Sequence, residues 1–483
     1  MQKKSIQKNY LYNAIYQALL MITPLITAPY LSRILEPDGI GMVSYTGSMV
    51  SYFILFATMG IPIHGQRETS YVQDSVEKRS VVFWNIKILS FCVSSVVTVV
   101  YLIYALWQKE ASVLYLILTL NLVSVVFDIT WFFQGMEEFG KIVTRNIVLK
   151  CFQIAYVFTF VKSKDDLLIY VFGFSLFAVL AHLSLWAYLP KYIKMIPRSQ
   201  LHPFRDIKIV WSLFIPTIAI QIYTVLDKTM IGIITRSSFE NGYYEQAIKL
   251  SKMLLALVTA MGTVMVPRIG YHFGKNDMGE IRRLMYRGYR FVWFLGVPLC
   301  IGTIMTAGNF VPWFFGPGYE KVVVLLGILS FLIPVIGISN VTGIQYFIPT
   351  KRQNLFTLSV VIGACTNFVL NMILIRFFQS LGAAIASVAG ESSVTIALLV
   401  LARKELSPRQ TLKEGVHYCI AAAVMALVLW PLSKALSPSM AHTVMMVICG
   451  AATYACVLLI ERDEFFLSIV KTVLQKLRQM IRI

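Results

Sequence analysis

Long uncharged apolar runs set the terms for this chain. Tyr10–Ser32, Gly39–Ile63, Ile88–Trp107 and Ala111–Phe127 contain no Asp, Glu, Lys, Arg or His. Each is about the twenty residues that a helix needs to cross the hydrocarbon of a bilayer, and more such runs follow. In lipid every backbone amide must be satisfied internally, which only helices and closed barrels achieve. Barrel strands alternate apolar and polar residues over about ten positions; these runs are twice as long and do not alternate. The fold class is therefore an all-α integral membrane protein. Composition points the same way: 57% of residues are apolar, 14% are charged, and mean hydropathy is +0.70. A soluble chain so poor in polar residues could not cover its own cores.

The runs predict about fourteen transmembrane helices, near 10–34, 39–62, 81–106, 111–134, 142–162, 166–189, 208–234, 246–267, 290–310, 320–348, 354–376, 381–402, 414–434 and 440–460. Lys3, Lys4 and Lys8 precede the first run, which is long and lacks an A-x-A cleavage site; it reads as the first span rather than a cleaved leader. Charge sets the orientation. Alternate loops collect Arg67, Lys78 and Arg79; Lys141 and Arg145; five basic residues from Lys191 to Lys208; six from Arg268 to Arg290; Lys351 and Arg352; and four from Arg403 to Lys413. The opposite loops hold few, among them Lys109, Lys162, Lys164, Arg236, Lys321, Arg376 and Lys434. The positive-inside rule places the rich side, and both termini, in the cytoplasm. The net charge of +19 thus reports orientation and contact with anionic lipid. No nucleic-acid motif is present, and nucleic acid is not an expected partner.

A weak internal repeat divides the chain. Gly41–Tyr45, Met59-Gly60 and Arg67 recur as Gly242–Gln246, Met261-Gly262 and Arg268, about 200 positions later. Two parallel six-helix lobes follow, 1–200 and 201–402, related by an axis along the membrane normal. Two extra helices occupy 403–460. The tail, 461–483, carries Phe466, Val470, Val473, Leu477 and Ile481 on one face, with Lys471, Lys476, Arg478 and Arg482 mostly elsewhere. It is expected to lie as an amphipathic helix on the inner membrane surface. Paired lobes of this kind enclose a cavity and rock around it, as transporters do.

Signs of catalysis are missing. There is no G-x-S-x-G, H-E-x-x-H or phosphate-binding glycine loop, and outer loops are too short to hold a folded catalytic site. The six histidines are scattered. The seven cysteines fall within apolar runs without metal-ligand spacing, as small packing residues do. No cofactor, no metal and no enzymatic reaction is expected.

Charges within the bilayer are costly unless they face a cavity or a partner, so those deep in the spans are the candidate site. Asp227 and Lys228 are adjacent on one helix and point about 100° apart, so at least one must look elsewhere. On the next, Glu245, Lys249 and Lys252 share a face at i, i+4 and i+7. Arg33 ends the first span. Together these predict a cationic lining in the outer half of a central cavity; the competing reading is a structural ion-pair network. Asp128, Asp227 and Glu391 are candidates for carrying a coupling proton, against a reading as hydrogen-bonded structural acids. Gln134, Asn340, Gln345, Asn367 and Asn371 are amides at membrane depth, either cavity-lining or packing between helices. Lys87 and Lys150 lie nearer the inner face and are expected to snorkel.

Several stretches together resemble the Wzx-type polysaccharide repeat-unit flippases of the MOP exporter superfamily. They are Pro24–Arg33, Gly60–Glu68, Trp131–Phe139, Leu226–Gly232, Gly242–Lys249, Val266–Arg268 and Gly363–Asn371. They run in order through most of residues 10–400. Many relatives carry Tyr-Gly before the Arg67-Glu68 pair, where this chain has His64-Gly65. The resemblance implies fourteen helices and alternating access. It implies a multi-pass protein of the bacterial cytoplasmic membrane that carries undecaprenyl-pyrophosphate-linked oligosaccharide from the inner to the outer leaflet, for capsule, O-antigen or exopolysaccharide. Partners would be that lipid-linked oligosaccharide, membrane lipids and polysaccharide polymerase machinery. Arg67 joins the cavity residues on the same ground. The alternatives are a multidrug or cation exporter of the same superfamily, whose cavity should be acidic or aromatic, and a lipid II flippase. An outer-face polymerase would need a large outer loop.

Overall fold

The computed structural model describes residues 6–109 and 111–481. Lys3, Lys4 and Arg482 lie outside the described residues, as do the side chains of Lys8, Val473, Lys476, Leu477, Arg478 and Ile481. All regular structure among the described residues is helical. The helices are α1 (Ile6–Thr58), α2 (Ile61–Tyr71), α3 (Val76–Trp107), α4 (Ser112–Val126), α5 (Thr130–Gly135), α6 (Phe139–Phe160), α7 (Leu167–Trp186), α8 (Ile207–Thr235) and α9 (Ser238–Thr259). Then come α10 (Gly262–Gly274), α11 (Met278–Phe315), α12 (Glu320–Leu329), α13 (Leu332–Asn340), α14 (Gln353–Phe378), α15 (Ser380–Ala402), α16 (Pro408–Ala435), α17 (Met440–Ile460) and α18 (Glu464–Ile481). A π-helical stretch, Val341–Phe347, continues α13.

Eleven helices among the described residues are long and apolar enough to cross a membrane, or twelve if the pair Ser238–Thr259 and Val264–Gly274, bent by 42°, counts as one span. The expected fourteen is not reached by this measure. The spans expected at 10–34 and 39–62 merge in α1, although the backbone at Glu36 (φ 57, ψ 173) leaves the helix there, just before Pro37. Helix α8 stands where the seventh span was expected and is not among the eleven.

The helices are apolar outside and mixed inside, as lipid requires. On α3, Val96, Val99 and Ile103 are exposed along one face. Ser80, Ser90, Ser94 and Tyr101 are buried on the other, and Ser94 Oγ donates 2.6 Å to the carbonyl of Ser90. Without a hydrophobic drive between helices in lipid, close packing by small and polar residues holds them together. Helix α11 is longer than its expected span, 290–310. At 1.5 Å per residue it reaches about 57 Å, nearly twice the hydrocarbon thickness. Its first turns bury Ile281, Leu284, Met285, Gly288 and Tyr289 while Arg282, Arg283 and Arg287 stay exposed. This amphipathic extension escaped detection because its charges interrupt the apolar run. Asp277 caps it, accepting from the Glu280 amide at 3.0 Å.

The chain forms two compact units, one ending at Gly232 and the other beginning at Ile233. In the first, α1, α3, α4 and α7 share a core of Val50, Tyr101, Leu114, Leu118, Leu122 and Val171. A second core gathers Phe83, Trp131, Phe132 and Phe133 where α5 packs on α2 and α3. The turn into α2 needs Gly60: its φ is 73°, and a Cβ there would sit 3.0 Å from the Val210 carbonyl. In the second unit, Tyr289, Ile333, Val341, Tyr346, Val394 and Leu398 form one core, and α16 and α17 pack on α11 around Tyr418, Met425 and Met446. Helices α14 and α15 run together through Gly363, Ala383, Ala386 and Gly390. Phe466 brings α18 onto the second of these cores.

Candidate functional site

Each unit holds a broken helix, and polar side chains gather at the breaks. In the first unit the span expected at 111–134 divides into α4 and α5. A break exposes carbonyls that lipid cannot solvate, so they must find donors. Lys87 Nζ donates to the carbonyls of Val126 (2.5 Å) and Asp128 (3.2 Å). Trp186 Nε1 donates to Phe127 at 2.8 Å, and His182 Nδ1 lies 2.5 Å from the Ser124 carbonyl. Asp128 Oδ1 accepts from the Thr130 amide at 2.8 Å, opening α5, and lies 3.9 Å from His182 Nε2. Lys87 therefore does not snorkel: it is 5% exposed, and the carbonyls of the break hold its ammonium inside. Lys150 is half-buried and donates to Gln153 Oε1 at 2.8 Å.

Beside this break, α2 carries Arg67, half-buried, whose Nε and Nη2 both reach Glu68 Oε1 at 3.2 Å. Gly65 meets the Trp131 ring so closely that a Cβ would lie 2.5 Å away, and half-buried Gln134 follows on α5. His64 is 1% exposed. Arg33 is exposed on α1, and the neighbouring Glu36 pairs with Lys164 at 2.7 Å. Asp227 and Lys228 are half-buried on α8. The next residue, Thr229, joins α1 through Ser48 and Tyr52, each at 3.1 Å.

In the second unit the broken helix lies between α9 and α10, at Met261-Gly262, which repeats the Met59-Gly60 of the α1–α2 turn. The π-helical stretch packs on α10 there. Buried Gln345 donates to Asn340 Oδ1 at 3.2 Å, bringing together two of the expected amides. A π turn inserts an extra residue and re-aims side chains, a feature common at functional sites. Glu245 is half-buried on α9, while Lys249 and Lys252 are exposed. Asn371 Nδ2 donates to Asn367 Oδ1 at 3.1 Å; both are buried between α14 and α15. Glu391 is half-buried on α15. A cavity of about 320 Å³ is lined by Pro267, Arg268, Tyr271, His272, Glu280 and Leu284.

Two further polar knots lack any sequence signal, because their members come from different helices. Glu240, 7% exposed, accepts from Lys321 Nζ through both oxygens at 2.7 Å, and from Ser380 Oγ at 2.5 Å. Arg352 clasps Glu405 with both terminal nitrogens, and Tyr346 donates to the same carboxylate. Those hydrogen bonds from Arg352 hold the Glu405 carboxyl below its ordinary range. Among the described residues, no three His, Cys, Asp or Glu side chains gather as a metal site.

The fold and its broken helices define a multi-pass membrane protein of transporter type. A family model described as polysaccharide biosynthesis protein matches residues 6–272, more than half of the chain, and the chain belongs to that family. The resemblance to the Wzx-type polysaccharide repeat-unit flippases agrees with that family. The chain is 26% identical over 415 residues to the "Putative O-antigen transporter" of Escherichia coli (strain K12), covering 83% of this chain and 97% of that protein. It is 28% identical over 261 residues to the "Probable flippase AglR" of Haloferax volcanii, about half of each chain (50% and 51%). Among solved structures, a lipid II flippase MurJ in an inward closed conformation is similar in fold, with TM-score 0.68 at 16% identity over 95% of this chain and 99% of that one. An inward-facing multidrug transporter of the MATE family gives TM-score 0.56 at 12% identity, over 82% and 99%.

Proposed function

We propose that this protein carries polyprenyl-pyrophosphate-linked oligosaccharide repeat units from the inner to the outer leaflet, by alternating access and without catalysis. Membership in the polysaccharide biosynthesis family over residues 6–272 carries the reading. The intramembrane charges support it. Arg33, Lys228, Lys249 and Lys252 offer cations on α1, α8 and α9, with Asp227 and Glu245 tempering them. Fixed cations out of water attract a pyrophosphate strongly. Arg67, Gln134, Asn340 and Gln345 at the broken helices supply donors and acceptors for the sugar and headgroup, and Asn367 and Asn371 stiffen α14 against α15. A headgroup of about two negative charges, driven outward by an inside-negative potential, gains roughly 4–5 kcal/mol per 100 mV. A coupled cation would add to this, and Asp128, Asp227 and Glu391 are the carboxylates it would load. Both termini face the cytoplasm, and a polysaccharide polymerase takes over the delivered units.

A deletion strain tests the reading. Lipid-linked repeat units should accumulate on the inner leaflet while surface polymer disappears, and wild-type protein should restore export. Arg33→Ala and Lys228→Ala should reach the membrane at normal levels without restoring it. Units reaching the outer leaflet but staying unpolymerised would make this an assembly protein. Unchanged units and polymer would point to a multidrug exporter.

A further inference from the structure

His64 is the most deeply buried histidine of the described residues whose ring nitrogens both lack a hydrogen bond. Burial and the nearby Arg67 work against a charge on this ring, and two carboxylates work for it. Nε2 lies 3.6 Å from Asp206 Oδ2, and Nδ1 lies 4.0 Å from Glu68 Oε1. These carboxylates come from two elements: Glu68 from α2 itself, Asp206 from the segment that leads into α8. At these separations neither contact is a hydrogen bond. A buried imidazole with two orphaned nitrogens is costly, and a proton added to it creates two donors, each facing an anion.

We infer that His64, Glu68 and Asp206 form a proton-binding site, and that its occupancy clasps α2 to the segment entering α8. Ionisable groups on α2 and on the helices packed against it are engaged with other partners. On α2, Arg67 is already held by Glu68. From α3, Arg79 donates to the carbonyls of Gln73 (2.6 Å) and Tyr192 (2.7 Å), and Lys87 is engaged at the α4–α5 break. From α5 come Trp131 and Gln134, which do not ionise. With His64 neutral, Asp206 is drawn towards the ring by nothing stronger than a dipole, and Glu68 is held by Arg67 instead. Protonation replaces that with two short ion pairs, and the pairs release as pH rises.

The consequence falls on a hinge region. Gly60 turns α1 into α2 with its backbone against Val210 of α8, so a clasp at His64 and Asp206 stiffens that turn from its far side. The link to transport rests on the flippase reading; the proton site itself does not, and it can be measured without cargo.

Full-length protein in lipid nanodiscs, labelled at the histidine rings, gives ring NMR signals whose pH titration reports each site; His64→Gln assigns the one that vanishes. Followed from pH 5 to 8, the His64 signal should move, and Asp206→Asn should lower its midpoint, as loss of a nearby opposite charge does. Hydrogen exchange in residues 61–71 should be several-fold slower in wild type than in His64→Gln at pH 5.5, and equal at pH 8. If His64→Gln fails to fold, Asp206→Asn keeps the ring and tests the same point. A His64 signal that does not move over this range, a midpoint unaffected by Asp206→Asn, or equal exchange at pH 5.5 overturns the proposal. Failure of the export assay would leave these measurements intact, so the two readings fail separately.

Discussion

Replacing Lys87 with Met would keep most of the side chain's bulk while deleting both of its hydrogen bonds to the broken end of α4. The carbonyls of Val126 and Asp128 would then face a dry interior. Leaving such groups unsatisfied costs about 1–3 kcal/mol each. Lys87→Met should therefore lower the unfolding midpoint in detergent by several degrees, even though it removes a buried charge. An unchanged midpoint would mean that Lys87 merely sits near the break. The sequence shows Lys87 only as a lone cation near a span end, which is why snorkelling is the natural expectation for it. The carbonyls that capture it belong to another helix, 39 and 41 positions away, and no spacing rule reaches that far. Sequence alone passes over the carboxylate neighbours of His64 for the same reason.

At the scale of elements, the Arg352–Glu405 clasp joins the start of α14 to the end of α15 outside the spans. Its carboxyl is held below the ordinary range, first by the hydrogen bonds from Arg352. A carboxylate lowered in the fold contributes stability above its unfolded pKa, about 4.3, and loses that contribution as pH falls through the lowered folded value. Glu405→Gln should therefore be less stable than wild type at neutral pH, with the difference closing below about pH 4. Melting curves from pH 7 to 3 would show it; a constant difference would assign the clasp to shape rather than charge. The helices themselves were legible in the sequence, because uncharged runs of bilayer length admit little else. Their interruptions were not. The α4–α5 break and the π turn at Val341–Phe347 sit in mostly apolar runs, where a lone Asp128 or Gly343 does not by itself mark an interruption, and tertiary partners satisfy the exposed backbone. The extension of α11 hid behind its arginines.

Across the whole molecule, the repeat seen at Met59-Gly60 and Met261-Gly262 has a structural counterpart: in each unit these residues open a short helix, α2 or α10, after a long one. Each short helix meets a second irregular element, α5 in the first unit and the π turn in the second. Discontinuous helices at corresponding positions of two halves are where transporters place their cargo. On that ground we propose Arg67 and Gln134 in the first unit, and Asn340 and Gln345 in the second, as polar contacts for the cargo. The class of the protein could be read from its sequence because the motifs run in order along the chain. The sugar it carries leaves no such trace. The most direct test is translocation by the purified chain in liposomes carrying a polyprenyl-pyrophosphate oligosaccharide, with an impermeant glycosidase added outside. The fraction of sugar protected in protein-free liposomes should become accessible when the protein is present, and should stay protected with Lys228→Ala. If that fraction is as protected with wild-type protein as without it, the flippase account is wrong.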